Sequence, residues 1–373
     1  MSEDSVVLDR TLHAPAGRVL IMAGGTGGHV VPALSLARGL SKKGIEVHWL
    51  GTPRGIENTL VPEAGFPLHH VSVAGLRGNG ALGWCRAPWR LWRAVCQARR
   101  LIAELDVSLV VGLGGFASGP GGLAARLLKK PLIIHEQNAL PGMTNKTLAR
   151  LATRVYSAFP ATFSPAVGAQ VVGNPVRAEI AAIGTRLKES VALEGRALRV
   201  LVVGGSLGAR VLNERLPEAL SLMPEAQRPL VRHQAGRDKE AATIEAYRSA
   251  GVEAEVSAFI SDMAEAYDWA DLVVCRSGAL TVSELAAAGR ASLLVPFPHA
   301  VDDHQSVNAH YLVEAGAAVL LPQSQMSAET LYHTLDELLD PHRLTGMSHR
   351  AREVARLEAT EQLVEGCLEI GFE

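Results

Sequence analysis

Ala23-Gly24-Gly25-Thr26-Gly27-Gly28-His29 is the stretch of sequence that decides the fold. It follows an apolar run at residues 19–22 and leads into a helix-like stretch at residues 31–40, so it predicts a strand, a tight loop and a helix start. Its four glycines permit positive φ and remove the Cβ atoms that would keep a ligand away from the backbone amides. Because a helix N-terminus carries roughly +0.5 of a unit charge, the predicted ligand of this loop is a phosphate or diphosphate.

The same pattern recurs in the second half of the chain. Residues 200–208 read Val-Leu-Val-Val-Gly-Gly-Ser-Leu-Gly, and residues 209–222 continue as a helix. An Arg-Val-Leu opening precedes each glycine turn, at Arg18 and at Arg199. The repeat predicts two doubly wound halves in tandem, which bind ligands at the carboxyl ends of their strands.

The length and composition of the chain limit the number of domains and the class of protein. A chain of 373 residues with 48% hydrophobic residues can bury two cores of ordinary size. A net charge of -2 argues against a nucleic-acid partner. Residues 1–17 are polar, and no run approaches the roughly 18 apolar residues of a spanning helix, so we expect a protein of the cytoplasm. The four cysteines form no CxxC pair, which indicates neither a disulfide framework nor a zinc site.

Strand-like and helix-like segments alternate in both halves, as in a parallel sheet. A nicotinamide site is not indicated, because a GxGxxG motif would need glycine at Val30 and no carboxylate stands at Leu50-Gly51-Thr52. The predicted strands are residues 19–22, 47–50, 70–73, 109–112, 132–135 and 155–158, and then residues 200–203, 230–233, 255–258, 272–275 and 292–295.

Residues 75–105 differ from the rest in composition, with six arginines, one acid and three of the five tryptophans. Pro88 is placed as a first-turn helix residue. The helical spacing predicts a helix on an anionic membrane surface, with arginines among the headgroups and indoles at the interface. The alternative is a solvated basic face with tryptophans partly in the core. The predicted membrane contacts are Trp84, Arg86, Trp89, Arg90, Trp92 and Arg93.

Two further segments of the first half end strands. Residues 112–120 form another glycine loop, so that it and the first loop can hold one diphosphate between them. Residues 135–138 read His-Glu-Gln-Asn and place an acid and an amide at the rim where ligands bind, unless they only cap the strand end.

Residues 173–177, Gly-Asn-Pro-Val-Arg, predict a hinge between the halves. Residues 182–197 show little apolar periodicity and predict a surface excursion.

Residues 275–284 read Cys-Arg-Ser-Gly-Ala-Leu-Thr-Val-Ser-Glu, a strand end, a turn and a helix start. The free amides, Arg276 and the hydroxyls suit a diphosphate, and a carboxylate at Glu284 can accept from both hydroxyls of a ribose. The alternative is a capping box between Thr281 and Glu284. The loop at residues 298–305 supplies side chains that can bind a sugar.

These segments, with Gly204-Gly205-Ser206 and Phe259-Ile260, resemble glycosyltransferase family 28, whose bacterial members add N-acetylglucosamine (GlcNAc) to lipid I in peptidoglycan and cell-wall synthesis. The resemblance runs in order from about Arg18 to the end of the chain. It implies a GT-B fold, an α/β architecture of two Rossmann-like doubly wound parallel-sheet domains facing across a cleft. The implied division is a polar extension at 1–17, an acceptor and membrane-contact domain at 18–176 joined by a C-terminal helix at 358–373, and a UDP-GlcNAc domain at 177–357.

The resemblance also implies a donor site, with Ile260 at the uracil, Glu284 at the ribose, Ser206 and Arg276 near the phosphates, and Gln305 and Asn138 near the sugar. The acceptor diphosphate is expected at Gly24, Gly25, Gly114 and Gly115. Phe116 stands where some relatives carry tyrosine, and Leu207 where others have glutamine. The full implied donor set is Thr26, Gly27, Gly28, Asn138, Arg177, Ser206, Ile260, Arg276, Ala279, Leu280, Thr281, Val282, Ser283, Glu284 and Gln305.

The expected chemistry is one inverting displacement, in which the C4 hydroxyl of the acceptor muramyl sugar attacks the anomeric carbon and UDP leaves. His29 is the first candidate base, worth about 10²- to 10⁴-fold in rate, and Glu136 is the second. No D-x-D motif occurs, so helix amides and Arg276 are expected to stabilise the leaving group. No cofactor is expected to be required and no metal site is predicted, and stimulation by Mg²⁺ is left open.

The expected partners are UDP-GlcNAc, lipid I and an anionic inner-membrane surface, with no nucleic acid, and the product is lipid II. The expected location is peripheral, on the cytoplasmic face of the bacterial inner membrane. Three alternatives stay open at this point. They are a GT-B transferase with another lipid or a sterol as acceptor, a UDP-GlcNAc epimerase, and a non-catalytic nucleotide-sugar sensor.

Overall fold

The computed structural model describes residues 17–73, 81–205, 208–298 and 303–372, and in the first helical turns of residues 81–87 the backbone alone. The predicted roles of Ser206, Leu207 and most of the N-terminal extension therefore lie outside the described residues, as do the side chains of Trp84 and Arg86.

A seven-stranded, wholly parallel sheet organises the first half, in the order β3-β2-β1-β4-β5-β6-β7. Its central strands are continuous apolar runs because helices cover both faces of the sheet. The strands are β1 Arg18–Ala23, β2 Glu46–Gly51, β3 Leu68–His70, β4 Leu109–Gly114, β5 Leu132–Glu136, β6 Arg154–Ser157 and β7 Gln170–Val171. The helices are α1 Gly27–Lys42, α2 Glu57–Glu63, α3 Ala81–Glu104, α4 Ser118–Leu127 and α5 Met143–Leu148.

The second half repeats the design with six parallel strands in the order β10-β9-β8-β11-β12-β13. The strands are β8 Arg199–Val203, β9 Leu230–Gln234, β10 Glu255–Ser257, β11 Leu272–Cys275, β12 Ala291–Leu294 and β13 Ala318–Leu320. The helices are α6 Ala178–Ile183, α7 Ser190–Leu193, α8 Arg210–Ser221, α9 Glu240–Ser249, α10 Met263–Trp269, α11 Ala279–Ala288, α12 His304–Glu314, α13 Ala328–Leu338, α14 Pro341–Glu353 and α15 Ala359–Phe372.

The last helix, α15, returns to the first domain. Leu363, Val364 and Cys367 are buried in the same apolar cluster as the residues of β1 and α1. Glu369 forms two hydrogen bonds with Arg154 of β6, at 2.6 and 3.0 Å. The predicted pair of Rossmann-like domains is therefore confirmed, and the chain crosses between them twice.

Three predictions about local structure are wrong. Helix α1 begins at Gly27 and not at residue 31, and β3 lies two residues before the predicted 70–73. Pro88 lies inside α3 and not in its first turn, so the helix continues past a residue that lacks an N–H donor. Residues 182–197 lie mostly at the surface, as predicted, and Leu193 and the bond from Lys188 to Asp271 attach them to the second domain.

No helix in the described ranges has both the length and the apolar character needed to cross a bilayer.

Each sheet has one point where the strand order reverses, between β1 and β4 in the first sheet and between β8 and β11 in the second. Loops that follow the two strands at such a point diverge and leave a crevice for ligands. The glycine loops at residues 24–28 and 114–117, and the turn before α11, lie at these two positions.

Candidate active site

The two glycine loops of the first domain are in backbone contact. A Cβ atom added to Gly115 would lie 2.6 Å from the Gly24 carbonyl oxygen, and one added to Gly114 would lie 2.4 Å from Cδ2 of His29. Gly114 and Gly115 both have positive φ, at 105° and 87°. The loops after β1 and β4 therefore require glycine to approach each other, and the imidazole of His29 lies against the second loop.

Free amides mark the start of α1. Thr26 is the N-cap residue, and no acid stands in the first turn of the helix. Within the described part of the chain, the N–H groups of Gly27 and Gly28 meet no hydrogen-bond acceptor. Two free donors at a helix N-terminus are suited to an anion, and anion binding at Gly27 and Gly28 stays a prediction.

The Gly25 amide, in contrast, is engaged by a buried carboxylate. It donates to Glu57 Oε2 at 2.9 Å, while Glu57 Oε1 accepts from the N–H and the hydroxyl of Thr52 at 3.2 and 3.0 Å. Gly25 thus does not offer the free donor predicted for the acceptor diphosphate. The sequence signal for Glu57 was an acid six residues beyond the end of β2, at the sheet edge where ligands bind.

His29 faces ionisable groups from both domains. Its Nδ1 lies 3.2 Å from the hydroxyl of Thr26. Burial lowers the pKa of His29 below its usual value, the nearby carboxylate of Glu136 opposes this shift, and His304 at the start of α12 adds to it. A half-buried imidazole kept neutral near pH 7 is suited to accept a proton.

Glu136, the second candidate base, holds its loop together. One of its oxygens accepts from the backbone and side-chain amides of Asn138, at 2.9 and 3.2 Å. The other accepts from Gly142 N and Asn145 Nδ2, at 3.1 and 2.9 Å. A buried carboxylate with four donors is already satisfied, so the geometry favours His29 as the base and Glu136 as a residue that orients Asn138.

In the second domain, the turn after β11 leads into α11 with Gly278 as N-cap. Glu284 lies in the second turn of this helix, and Oε1 accepts from Arg177 Nη2 and Nε at 2.8 and 3.2 Å. The hydroxyl of Tyr267 lies 3.4 Å from the other oxygen. Because Glu284 bonds to Arg177 and α11 begins at Ala279, the alternative of a capping box with Thr281 is wrong.

Two other predicted donor residues form hydrogen bonds with loops of the second domain. Arg276 donates to the carbonyls of Val295 and Pro296, at 3.0 and 2.9 Å, and to Gln323 at 2.7 Å. The side chain of Gln305 accepts from the backbone N–H of Phe297 at 2.9 Å. These bonds order the loop after β12, and contact with a phosphate or sugar stays a prediction for both residues.

Two asparagines connect the domains: Asn174, which belongs to the predicted hinge, and Asn308, which the sequence reasoning missed. The side chain of Asn308, fully buried on α12, accepts from Ala139 N at 2.8 Å and donates to Asn138 Oδ1 at 3.3 Å. Asn174 donates to Gln137 O at 3.1 Å and to Ser283 Oγ at 3.0 Å. The segment after β5 and the start of α11 are therefore held beside each other across the cleft.

The predicted membrane helix presents Trp89 and Trp92 to solvent. The side chains of Trp89 and Trp92 are 64% and 56% exposed, so the alternative that they pack in the core is wrong for these two. Arg90 and Arg93 are also exposed and line a cavity with Thr52 and Phe116. Among the described residues, no group of three or more His, Cys, Asp or Glu side chains is placed to hold a metal ion.

Comparisons with known proteins agree with this architecture. The model of the glycosyltransferase family 28 N-terminal domain matches residues 19–157, and that of the C-terminal domain matches residues 199–363. The chain is 66% identical over 352 residues to the Chromohalobacter salexigens UDP-N-acetylglucosamine--N-acetylmuramyl-(pentapeptide) pyrophosphoryl-undecaprenol N-acetylglucosamine transferase, covering 94% of this chain and 96% of the relative. It is 56% identical to the Azotobacter vinelandii protein of the same name, covering 94% and 98%.

Solved structures give the same result. The crystal structure of Acinetobacter baumannii MurG superposes with a TM-score of 0.80 at 41% identity, covering 95% of this chain and 99% of that one. A putative UDP-N-acetylglucosamine 2-epimerase from Listeria monocytogenes has a TM-score of 0.66 at 16% identity, covering 94% and 96%, and this likeness shows the fold alone.

Proposed function

The chain belongs to glycosyltransferase family 28, and from this premise we propose that it transfers GlcNAc from UDP-GlcNAc to the muramyl sugar of undecaprenyl-diphosphate-linked N-acetylmuramyl-pentapeptide, lipid I, forming lipid II. The chain is an enzyme, a hexosyltransferase of peptidoglycan synthesis. The structural observation that carries the proposal is the arrangement across the cleft. In the first domain, His29 and the free amides of α1 face helix α12 of the second domain. The neighbouring helix α11 of the second domain carries Glu284.

The first domain supplies the base that takes the proton of the acceptor hydroxyl. Nε2 of His29 takes the proton of the acceptor C4 hydroxyl, while the hydroxyl of Thr26 accepts from Nδ1–H and orients the ring. The C4 oxygen forms a bond to the anomeric carbon as the bond from that carbon to the UDP oxygen breaks. UDP leaves with the electron pair, and the anomeric configuration inverts.

The leaving group is stabilised by the second domain. The first N–H groups of α11 have no acceptor within the described residues, and no acid stands in the first turn of this helix. We place the diphosphate of UDP at this N-terminus, the ribose at Glu284 and the uracil at Ile260. These donors serve the role that a divalent cation has in other transferases, so full activity is expected after treatment with EDTA and its loss would contradict this part of the proposal.

We further propose that the enzyme acts as a peripheral protein on an anionic membrane surface, the cytoplasmic face of the inner membrane, through α3. Exposed indoles at Trp89 and Trp92 alternate along this helix with arginines. The Trp89→Ser, Trp92→Ser variant should bind vesicles of anionic phospholipid at least tenfold more weakly than the wild type. Leu222→Ser, which alters an exposed apolar residue of the second domain, is the control. Equal binding by both variants would overturn this proposal.

Transfer of labelled GlcNAc from UDP-GlcNAc to a short-chain lipid I analogue tests the function directly. Acceptor-dependent formation of a labelled disaccharide lipid is the expected result. Consumption of the donor without acceptor would indicate an epimerase, and donor binding without turnover would indicate a sensor. Transfer to a different lipid, with none to the lipid I analogue, would assign another acceptor. Each of these three outcomes contradicts the proposal.

A further inference from the structure

Three arginines surround a cavity of about 490 Å³ beside the glycine loops of the first domain. Arg54 follows β2, and Arg90 and Arg93 lie one turn apart on α3, while Thr52 and Phe116 form further parts of the wall. The volume is in the range of small-molecule sites, roughly 300–1,000 Å³. The cavity therefore has room for a phosphate-sized anion with part of the group to which it is attached.

The arginines have no counter-ion in this structure. None of Arg54, Arg90 and Arg93 forms an ion pair with a carboxylate within the described ranges, and no acid lines the cavity. Like charges three positions apart on a helix repel each other, and a third charge faces them from the loop after β2. An anion bound in the cavity would relieve this repulsion and gain charge-assisted hydrogen bonds.

The neighbouring glycine loop is a weaker site for the acceptor diphosphate than its sequence indicates. Its Gly25 amide is bonded to Glu57, a fully buried carboxylate that also bonds to Thr52 in the cavity wall. A negative charge beneath the loop offsets part of the positive potential of the α1 N-terminus. In the arginine cavity, by contrast, no described carboxylate compensates the positive charge.

We propose that the cavity lined by Arg54, Arg90 and Arg93 binds the diphosphate of the lipid-linked acceptor. The inference rests on the proposed function and names the site that holds the acceptor. Trp89 and Trp92 immediately precede Arg90 and Arg93 in the chain, so indoles at the membrane interface would place the cavity at headgroup depth. That is the depth at which a diphosphate joins a membrane-embedded polyprenyl chain to its sugar.

The test compares Arg54→Gln, Arg93→Gln and the double variant with the wild type, using a water-soluble short-chain lipid I analogue in neutral detergent. Each single change should raise the KM for the acceptor about 10-fold or more, and the double change should raise it further, because each removes a hydrogen bond between charged groups. The KM for UDP-GlcNAc and the melting temperature should not change. Arg99→Gln, an exposed arginine of α3 outside the cavity, is the matched control. An unchanged acceptor KM in the double variant would overturn the assignment.

Further measurements identify the anion that the arginines bind. If the effect disappears with an acceptor analogue that has the diphosphate but no peptide, the arginines bind a peptide carboxylate and the assignment is wrong. If the variants lose affinity for anionic vesicles but keep the acceptor KM, the arginines bind lipid headgroups and the assignment is again wrong. Calorimetric binding of inorganic pyrophosphate in the presence of saturating UDP, which fills the donor site, is expected for the wild type and should be much weaker in the double variant, and it does not depend on turnover. It therefore separates failure of this site from failure of the proposed function.

Discussion

Arg177 and Glu284 form an ion pair between the segment that leaves the first domain and helix α11 of the second, with 2.8 Å between Nη2 and Oε1. Glu284 is almost fully buried, and burial raises its pKa while the adjacent guanidinium of Arg177 acts in the opposite direction. The two hydrogen bonds from Arg177 fix the orientation of the carboxylate. A carboxylate preorganised in this way can accept hydrogen bonds from both ribose hydroxyls.

The Glu284→Gln variant should bind the donor poorly. An amide offers one acceptor oxygen in place of two and leaves Arg177 without an anionic partner, so the KM for UDP-GlcNAc should rise about 10- to 100-fold. Steady-state kinetics and calorimetry with UDP measure the effect. Glu365→Gln, an exposed position on α15, should behave as the wild type. Donor affinity that survives the change at Glu284 would place the ribose elsewhere.

The His29→Gln variant should lose turnover by about 10²- to 10⁴-fold if His29 is the base. Burial lowers the pKa of His29 below 6.5, so the neutral form predominates at pH 7. In the wild type, kcat/KM should rise with pH through a value below 6.5 and be constant above it. This acidic limb of the profile should be absent from the residual activity of the variant. A variant with near-normal turnover, or with the same limb, would show that another group takes the proton.

Glu57→Gln should destabilise the glycine loop. Glu57 accepts from Gly25 N–H with one oxygen and from Thr52 with the other, and an amide must point an NH₂ group at one of these donors. A buried unsatisfied donor costs about 1–3 kcal/mol, so the free energy of unfolding in urea should fall by this amount. Glu63→Gln, at the exposed end of the same helix α2, is the control and should have little effect. Equal stability of the two variants would exclude this role for Glu57.

Acid should unfold the protein partly through buried histidines. Burial lowers the pKa of His135 to about 4 and that of His233 to about 3, so both are neutral in the folded state near pH 7. Because their pKa values are lower in the folded state than in the unfolded state, their contribution to stability is complete above about pH 6.5 and is lost as the pH falls from there toward 4. Each should reduce the free energy of unfolding by about 1.4 kcal/mol per pH unit in that window.

Urea unfolding at several pH values measures this slope. His233→Gln should remove one histidine's share of it, although the variant loses bonds to Tyr247 and Asn213 and starts from lower stability. His310→Gln, at an exposed position of α12, should leave the slope unchanged. A slope that is the same in both variants would assign the acid sensitivity to other groups.

The sequence by itself determined the strand, glycine loop and helix units of both domains, because an apolar run that ends in a glycine turn is a local pattern. The units around residues 19–40 and 272–288 are present in the structure, with Gly27 and Gly278 at the helix starts. Short strands such as β7 and β13 were missed, since two or three residues carry too little pattern to predict a strand. The order of functional segments along the chain was also sufficient to indicate the family.

Only the tertiary structure decided which side chains meet. Glu57 lies beneath Gly25, 32 positions away in the chain, and Asn308 joins Ala139, 169 positions away. Local sequence does not encode such contacts, because they depend on how the sheet edges and the two domains pack. The same packing brings Arg54 to face Arg90 and Arg93 around one cavity. Burial, which lowers the pKa of His29, is likewise a property of the folded molecule and not of the sequence pattern.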